Sequence, residues 1–289
     1  MTGKNIETDA HSGQQTTGHE WDGLRELNTP LPTWWLYTFY ACILFSLVYV
    51  VFYPAFPFTG ATGVLGWTAR GALPAELAAQ NQRNEPMMAR LRAVTPEQIA
   101  ADPTLRSFAI AGGRIAFANN CAACHGAAGQ GAQGGYPSLA DDDWLWGGEL
   151  ADIRTTIEHG VRNLDSEEAR ATIMPAFGQG ILTPPQIADV TEHLLAYTGR
   201  STNAAAAARG ATVYEENCVA CHGERGEGNA QLGAPTLNDR IWLHGSERAA
   251  IIAYIAAPRL GAMPAFGQRL DAATINMLTV YVHALGGGR

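Results

Sequence analysis

The sequence predicts an all-α protein in which one membrane-spanning helix precedes two small helical domains in tandem, and three observations carry that reading. Trp34 to Phe52 is an uninterrupted run without charge, proline or glycine, close to the roughly 20 residues that cross a bilayer's hydrocarbon core. Two later segments repeat one another, each opening on Cys-x-x-Cys-His and closing on Met-Pro-Ala-Phe-Gly. Each repeat then ends in an amphipathic stretch with helix start and stop signals. The 289 residues suffice for two or three domains, and the expected divisions are a head, 1–32; the spanning helix, 33–56; a helical stalk, 57–104; and two domains, 105–200 and 201–289.

The head is polar, with Lys4 and Arg25 against five acids. From Leu27 to Ala69 no residue is charged. Aromatic residues flank the apolar run, Trp34, Trp35 and Tyr37 on one side and Phe52, Tyr53 and Phe56 on the other, as at membrane interfaces. A cleaved signal peptide does not fit, because the run exceeds the usual apolar region and a polar, acidic head precedes it. The segment is therefore an anchor. Pro54, Pro57, Gly60, Gly63 and Gly66 then predict irregular chain. Pro74 to Val94 is rich in helix formers, and Thr95-Pro96-Glu97-Gln98 predicts a capped helix start. Met87 and Met88 read as packing residues of this stalk.

The tandem repeat extends well past its motifs. Gly113-x-x-x-Phe117 precedes Cys121 as Gly210-x-x-x-Tyr214 precedes Cys218, and Pro137-x-Leu139 answers Pro235-x-Leu237. Trp144, Gly147 and Glu149 match Trp242, Gly245 and Glu247 at an offset of 98, whereas Met174 and Met263 lie 89 apart. The first repeat thus carries about nine extra residues, polar and acidic, and Val161 to Ala171 is expected to be a surface loop. Thr183-Pro184-Pro185-Gln186 opens the first closing helix, with Ile187, Val190, Leu194 and Leu195 or Tyr197 on its apolar stripe and Gly199 as its stop. Asp271 caps the second, whose stripe is Ile275, Leu278, Val282 and Leu285 and whose stop is Gly286.

Cys-x-x-Cys followed by His is the attachment pattern of c-type haem, two thiols meeting the vinyl groups and the imidazole facing the iron. A zinc knuckle, a redox dithiol or a disulfide can also use Cys-x-x-Cys. Here, however, the pairs begin 97 residues apart, each with its own His and Met, whereas zinc ribbons bring their pairs within about 15–20 residues. The expectation is two covalent haems c, bound through Cys121 and Cys124 and through Cys218 and Cys221. His125 and His222 are the expected proximal iron ligands and Met174 and Met263 the distal ones, each Met serving the His of its own repeat. His159, His244 and His283 are weaker rivals. Pro137-x-Leu139 and Pro235-x-Leu237 resemble the Pro-x-Leu that cytochromes c place at this distance, which implies that the carbonyls of Pro137 and Pro235 hold the ring nitrogens facing away from the iron. The repeats resemble class I cytochrome c domains, in which the glycine-bearing helix crosses the terminal helix beside the haem, and Gly113 and Gly210 would admit that close approach.

Two six-coordinate haems leave no open position for substrate, which points to electron transfer and predicts no catalytic residue on this chain. A dihaem peroxidase would need one iron with a releasable ligand. Residues 105–200 carry 11 acids and 6 arginines, whereas 201–289 carry 7 of each. Asp141, Asp142, Asp143, Glu149 and Asp152 form an acidic group suited to steering a basic partner such as a soluble cytochrome c. Nothing indicates nucleic-acid binding.

The run His19-Glu20-Trp21-Asp22-Gly23-Leu24-Arg25-Glu26-Leu27-Asn28-Thr29-Pro30-Leu31-Pro32-Thr33-Trp34-Trp35, then the aromatic span, Tyr53-Pro54 and Gly66-Trp67, resembles the dihaem subunit, CcoP or FixP, of cbb3-type cytochrome c oxidases. Thr33 stands where a basic residue is common in that family. The resemblance covers essentially the whole chain. It implies a bacterial inner-membrane protein with a cytoplasmic N-terminus and periplasmic haem domains. It implies electron transfer from a soluble or membrane cytochrome c towards a monohaem cytochrome c subunit and a haem-copper subunit, which reduces oxygen and pumps protons. A dihaem subunit of a membrane-bound dehydrogenase, or a free-standing anchored carrier, is the alternative.

Overall fold

The computed structural model describes residues 6–53, 63–132 and 134–286. Residues 54–62, which hold Pro54, Pro57 and Gly60 of the expected irregular segment and Phe56 of the expected aromatic flank, lie outside the described residues. The chain separates into two units, 1–82 and 83–289.

Among the described residues, the only β-strands lie in the first unit. β1 (Thr16–Trp21) and β2 (Leu24–Leu27) form an antiparallel hairpin with an irregularity between Thr16 and Glu20. Its two-residue turn is Asp22-Gly23, both at positive φ, +52° and +82°, the conformation a type I′ turn demands and the reason Asp-Gly is a strong hairpin signal. Arg25 joins Glu20 at 2.8 Å and also pairs with Glu7. After the hairpin, α1 (Thr33–Phe52) buries none of its residues against the rest of the chain. The hydroxyls of Thr38 and Ser46 donate to the carbonyls of Trp34 and Cys42, four residues back, at 3.0 and 2.8 Å. Such bonds satisfy polar groups that lipid could not, and α1 anchors the protein in a membrane. α2 (Ala69–Ala93) follows as the stalk.

The second unit contains the end of α2, α3 (Pro96–Ala101), α4 (Pro103–Asn120), α5 (Ala122–His125), α6 (Leu150–His159), α7 (Pro184–Tyr197), α8 (Ala204–Asn217), α9 (Val219–His222), α10 (Arg248–Ala256) and α11 (Ala272–His283). The signals at 95–98 act as expected: Thr95 and Gln98 form a reciprocal capping box. Asp102 caps α4 and Asp271 caps α11 through backbone N–H groups of their first turns. α6 and α10 were not anticipated, although Leu150, Ile153 and Ile157 carry a helical repeat and are buried.

The cores cross between the repeats, and this corrects the sequence reading. One cluster joins Phe117 of α4, Ile153 and Ile157 of α6 and Ile275, Leu278 and Val282 of α11, with Cys121, Leu139, Trp144 and Met263 packed against it. The other joins Ile187, Val190 and Leu194 of α7 with Val213 and Tyr214 of α8 and Ile251 and Ile255 of α10, with Met174, Cys218, Leu237 and Trp242 alongside. Each closing helix thus serves the motif of the other repeat, and a boundary at 200/201 separates neither core. The two glycine grooves and the two closing helices are interchangeable by chemistry, so local pattern cannot choose between partners. Connection length does: only residues 198–203 separate α7 from α8, and helices joined by a short connection pack as neighbours. Glu192, buried in α7, fastens that connection by accepting from Ser201 Oγ at 2.6 Å and from the Thr202 and Asn203 N–H groups at 3.1 and 3.3 Å, and it pairs with Arg248. α11 is then left for α4. A third cluster, Leu91, Ile99, Leu105, Ala109, Leu150, Ala273, Met277 and Val280, seats the end of the stalk, and Met87 and Met88 pack against it.

Candidate functional site: two thiol–imidazole motifs in one cavity

Each motif is built as a helix end, one short turn and a glycine reversal. α4 hands over to α5 through Cys121 N–H to Phe117 O and His125 N–H to Cys121 O, and Gly126, at φ +79°, then turns the chain away. The second copy repeats this with Cys218 N–H to Tyr214 O, His222 N–H to Cys218 O and Gly223 at +78°. The following loops return over the histidines, fastened by Leu139 N–H to Gly129 O and Leu237 N–H to Gly226 O, 2.6 and 2.7 Å.

That return brings a carbonyl to each imidazole. His125 Nδ1 lies 3.0 Å from Pro137 O, and His222 Nδ1 lies 3.0 Å from Pro235 O. A carbonyl only accepts, so Nδ1 carries the proton and Nε2 keeps its lone pair for an electrophile. Burial lowers the pKa of His222, which keeps the ring neutral.

Cys121, Cys124, His125, Cys218, Cys221, His222, Met174 and Met263 all line one cavity of about 960 Å³. Within it Met263 belongs to the apolar cluster around Cys121, and Met174 to the cluster around Cys218. Each methionine thus packs beside the motif of the other repeat and not, as expected, beside its own. Of the rival histidines, His159 instead meets Ser166 Oγ at 3.1 Å and Glu168 at 3.2 Å. His244 does line the cavity, with its ring stacked on Tyr254 at 4.6 Å.

The thiols do not suit the competing chemistries. Burial, then the neighbouring Cys124, pushes the Cys121 thiol up to about 11, and burial followed by Cys221 does the same for Cys218. A redox dithiol needs the opposite shift, since the thiolate is the reactive form. Among the described residues no group of three or more His, Cys, Asp or Glu side chains could hold a metal ion. The cavity does fit a large apolar prosthetic group bound through two thiols and an imidazole. Its walls are largely apolar, and Trp144 Nε1 is buried without a partner, a donor that an acidic edge of such a group would satisfy. Trp242, its counterpart, donates to Asp239 O at 3.3 Å.

The expected surface loop at 161–171 has structural work at this site. Val161, buried, pairs with Met263 through N–H···O bonds in both directions, 3.0 and 2.9 Å. The Asn163 side chain donates to Met263 O at 2.9 Å. The segment's polar composition concealed this, because the contacts use backbone atoms and one amide.

Comparison with known proteins gives the family. A family model described as the N-terminal domain of cytochrome oxidase-cbb3, FixP, matches residues 13–60. A cytochrome c model matches 110–198, and one described as cytochrome c oxidase, cbb3-type, subunit III matches 205–282. The chain is 52% identical to the cbb3-type cytochrome c oxidase subunit CcoP of Azospirillum brasilense, covering 98% of this chain and 99% of that one. It is 47% identical to the FixP subunit of Azorhizobium caulinodans, covering 97% and 96%, and 45% identical to that of Rhizobium etli over the full length of both.

Proposed function

The chain belongs to the CcoP/FixP family of cbb3-type cytochrome c oxidase subunits, and from that premise we propose how its own residues relay electrons. It is a membrane-anchored cytochrome c subunit of the oxidase. Cys121 and Cys124 hold one haem c, with His125 and Met263 on its iron; Cys218 and Cys221 hold the second, with His222 and Met174. Haem iron supplies the one-electron chemistry. The observation that carries this reading is the pair of imidazoles, each with Nδ1 held by a proline carbonyl, opening onto a cavity that both methionines also line.

The protein's part is to hold and tune. Pro137 O and Pro235 O fix the ring planes and the tautomer. The thioethers favour a higher reduction potential than a second imidazole would. The apolar clusters keep water from the metal and leave little to reorganise when charge changes. The hairpin head lies on the cytoplasmic side and the second unit in the periplasm, where haem c is attached. Donor electrons come from a soluble or membrane cytochrome c drawn to the acidic group at Asp141 to Asp143, and pass towards a monohaem subunit and a haem-copper subunit in which oxygen is reduced.

Gentle purification from membranes tests the assembly: the chain is expected to come with oxygen-consuming subunits that contain haem b, and isolation alone or with a dehydrogenase would sink the reading. Met263→Ala should disturb the haem at Cys121 and Cys124, and Met174→Ala the haem at Cys218 and Cys221. An uncrossed result in the spectra of the two haems would reverse the ligand pairing.

A further inference from the structure

At the point where the cores exchange, the two chain segments that carry the methionines pass one another, and Arg162 stands between them. Its Nε donates to Gly261 O at 2.7 Å and its Nη1 to Thr172 O at 3.1 Å. Gly261 is two residues before Met263, and Thr172 is two residues before Met174. One guanidinium therefore grips the same carbonyl of both repeats. Its planar fork suits two acceptors at once, which a single ammonium does not match.

Three further facts set this residue apart. Arg162 is half-buried in the cavity wall. Its backbone is at φ +46°, and the only other described non-glycine residue at positive φ is Asp22 in the hairpin turn. A residue kept in such a conformation persists only where its surroundings determine it, and such sites cluster where function needs them. The segment containing Arg162 is the insertion that only the first repeat carries, so the position has no fixed counterpart in the second.

We propose that Arg162 is a shared positioning residue for both distal methionines, so that a single side chain holds the sixth ligand of each haem in place. Asn163 is its one-sided neighbour, holding Met263 alone through the Met263 carbonyl. The inference rests on the reading that Met174 and Met263 ligate iron. It adds that their ligation is mechanically linked through a residue that touches neither iron.

Imidazole competes with a thioether for ferric haem, so its apparent affinity reports how firmly each methionine is held. In the full-length, haem-loaded chain, Arg162→Gln is expected to tighten imidazole binding about tenfold at both haems, the low end of what loss of an outer partner costs a metal ligand. The thioether-to-iron absorption band should weaken in parallel. Asn163→Ala should do so only at the haem of His125. Arg162→Lys, which keeps the charge but cannot fork, should also tighten imidazole at one haem or both, and it carries the test if the glutamine variant does not assemble. Wild-type affinity at both haems in Arg162→Lys, or a shift at fewer than two haems in Arg162→Gln, would overturn the proposal. Met174→Ala and Met263→Ala, titrated alongside, separate the two readings. If they leave the band intact, the ligand assignment fails. If they abolish it while the Arg162 variants bind imidazole like wild type, only the shared strut fails.

Discussion

A histidine beside two cysteines is readied as a metal ligand when its far nitrogen keeps its proton in a hydrogen bond, and here a proline carbonyl accepts that bond twice at 3.0 Å. The cysteines and histidines proposed to hold haem were legible because haem attachment fixes both residue type and spacing over five positions. The roles of Arg162 and Asn163 were not, because arginine and asparagine in a polar loop carry no signal until the chain they grip is known. Asp143 is similar: a run of three aspartates reads as solvated charge, yet burial, then Asp239 and Asp141, pushes its carboxyl up to about 6 from an ordinary 3.8. A folded-state pKa above the unfolded one means that the native state prefers the proton. The native state is therefore unpenalised below about pH 3.8 and loses stability as pH rises through 6. Asp143→Asn should remove that dependence. Thermal unfolding of the variant and the wild type should coincide near pH 4 and diverge towards pH 7, with the variant more stable.

Some capped helix starts announced themselves, whereas the caps Asp102 of α4 and Asn203 of α8 were not read from the sequence. The α3 and α11 starts were written in Thr95 and Asp271, and the apolar stripes of α7 and α11 were readable by period. The hairpin was missed although Asp22-Gly23 is its standard turn, because the sequence beside it lacks a clean alternation of apolar and polar residues. The glycines of α4 and α8 were expected to admit another helix, and they do, with changed partners. A Cβ at Gly113 would stand 2.3 Å from Met277 O, and one at Gly210 would stand 2.0 Å from Asp189 O. Gly210→Ala must therefore push α8 from α7. The expected cost is about 2–3 kcal/mol, typical of overpacking, read as a lower unfolding midpoint with early disturbance of the haem attached at Cys218. An unchanged midpoint would mean that the two helices have room to part.

Across the whole molecule the exchange makes two repeats into one body. A protease site placed within residues 198–203 tests this directly. After cleavage the halves should co-elute on size exclusion with both spectra unaltered, since each core holds helices from both sides of the cut, whereas self-contained domains would separate. Charge also acts at this scale. The first repeat is net acidic and the second neutral, so reduction by a basic cytochrome should slow as ionic strength rises, most steeply at low salt, and level off once the screening length falls below about 10 Å. A flat dependence measured by stopped flow would remove the steering role of Asp141 to Asp143.

The sequence by itself determined the cofactor chemistry, the anchor and the repeat, because each rests on local constraints: thiol spacing, the length needed to cross a bilayer, and residue types recurring at a fixed offset. Which methionine packs beside which motif was decided only in three dimensions. Two similar glycine-bearing helices and two similar closing helices recur in the sequence, so local pattern does not choose between the pairings. The short connection at 198–203 and the insert at 161–171 break that symmetry, one by bringing α7 to α8, the other by binding the chain that carries Met263.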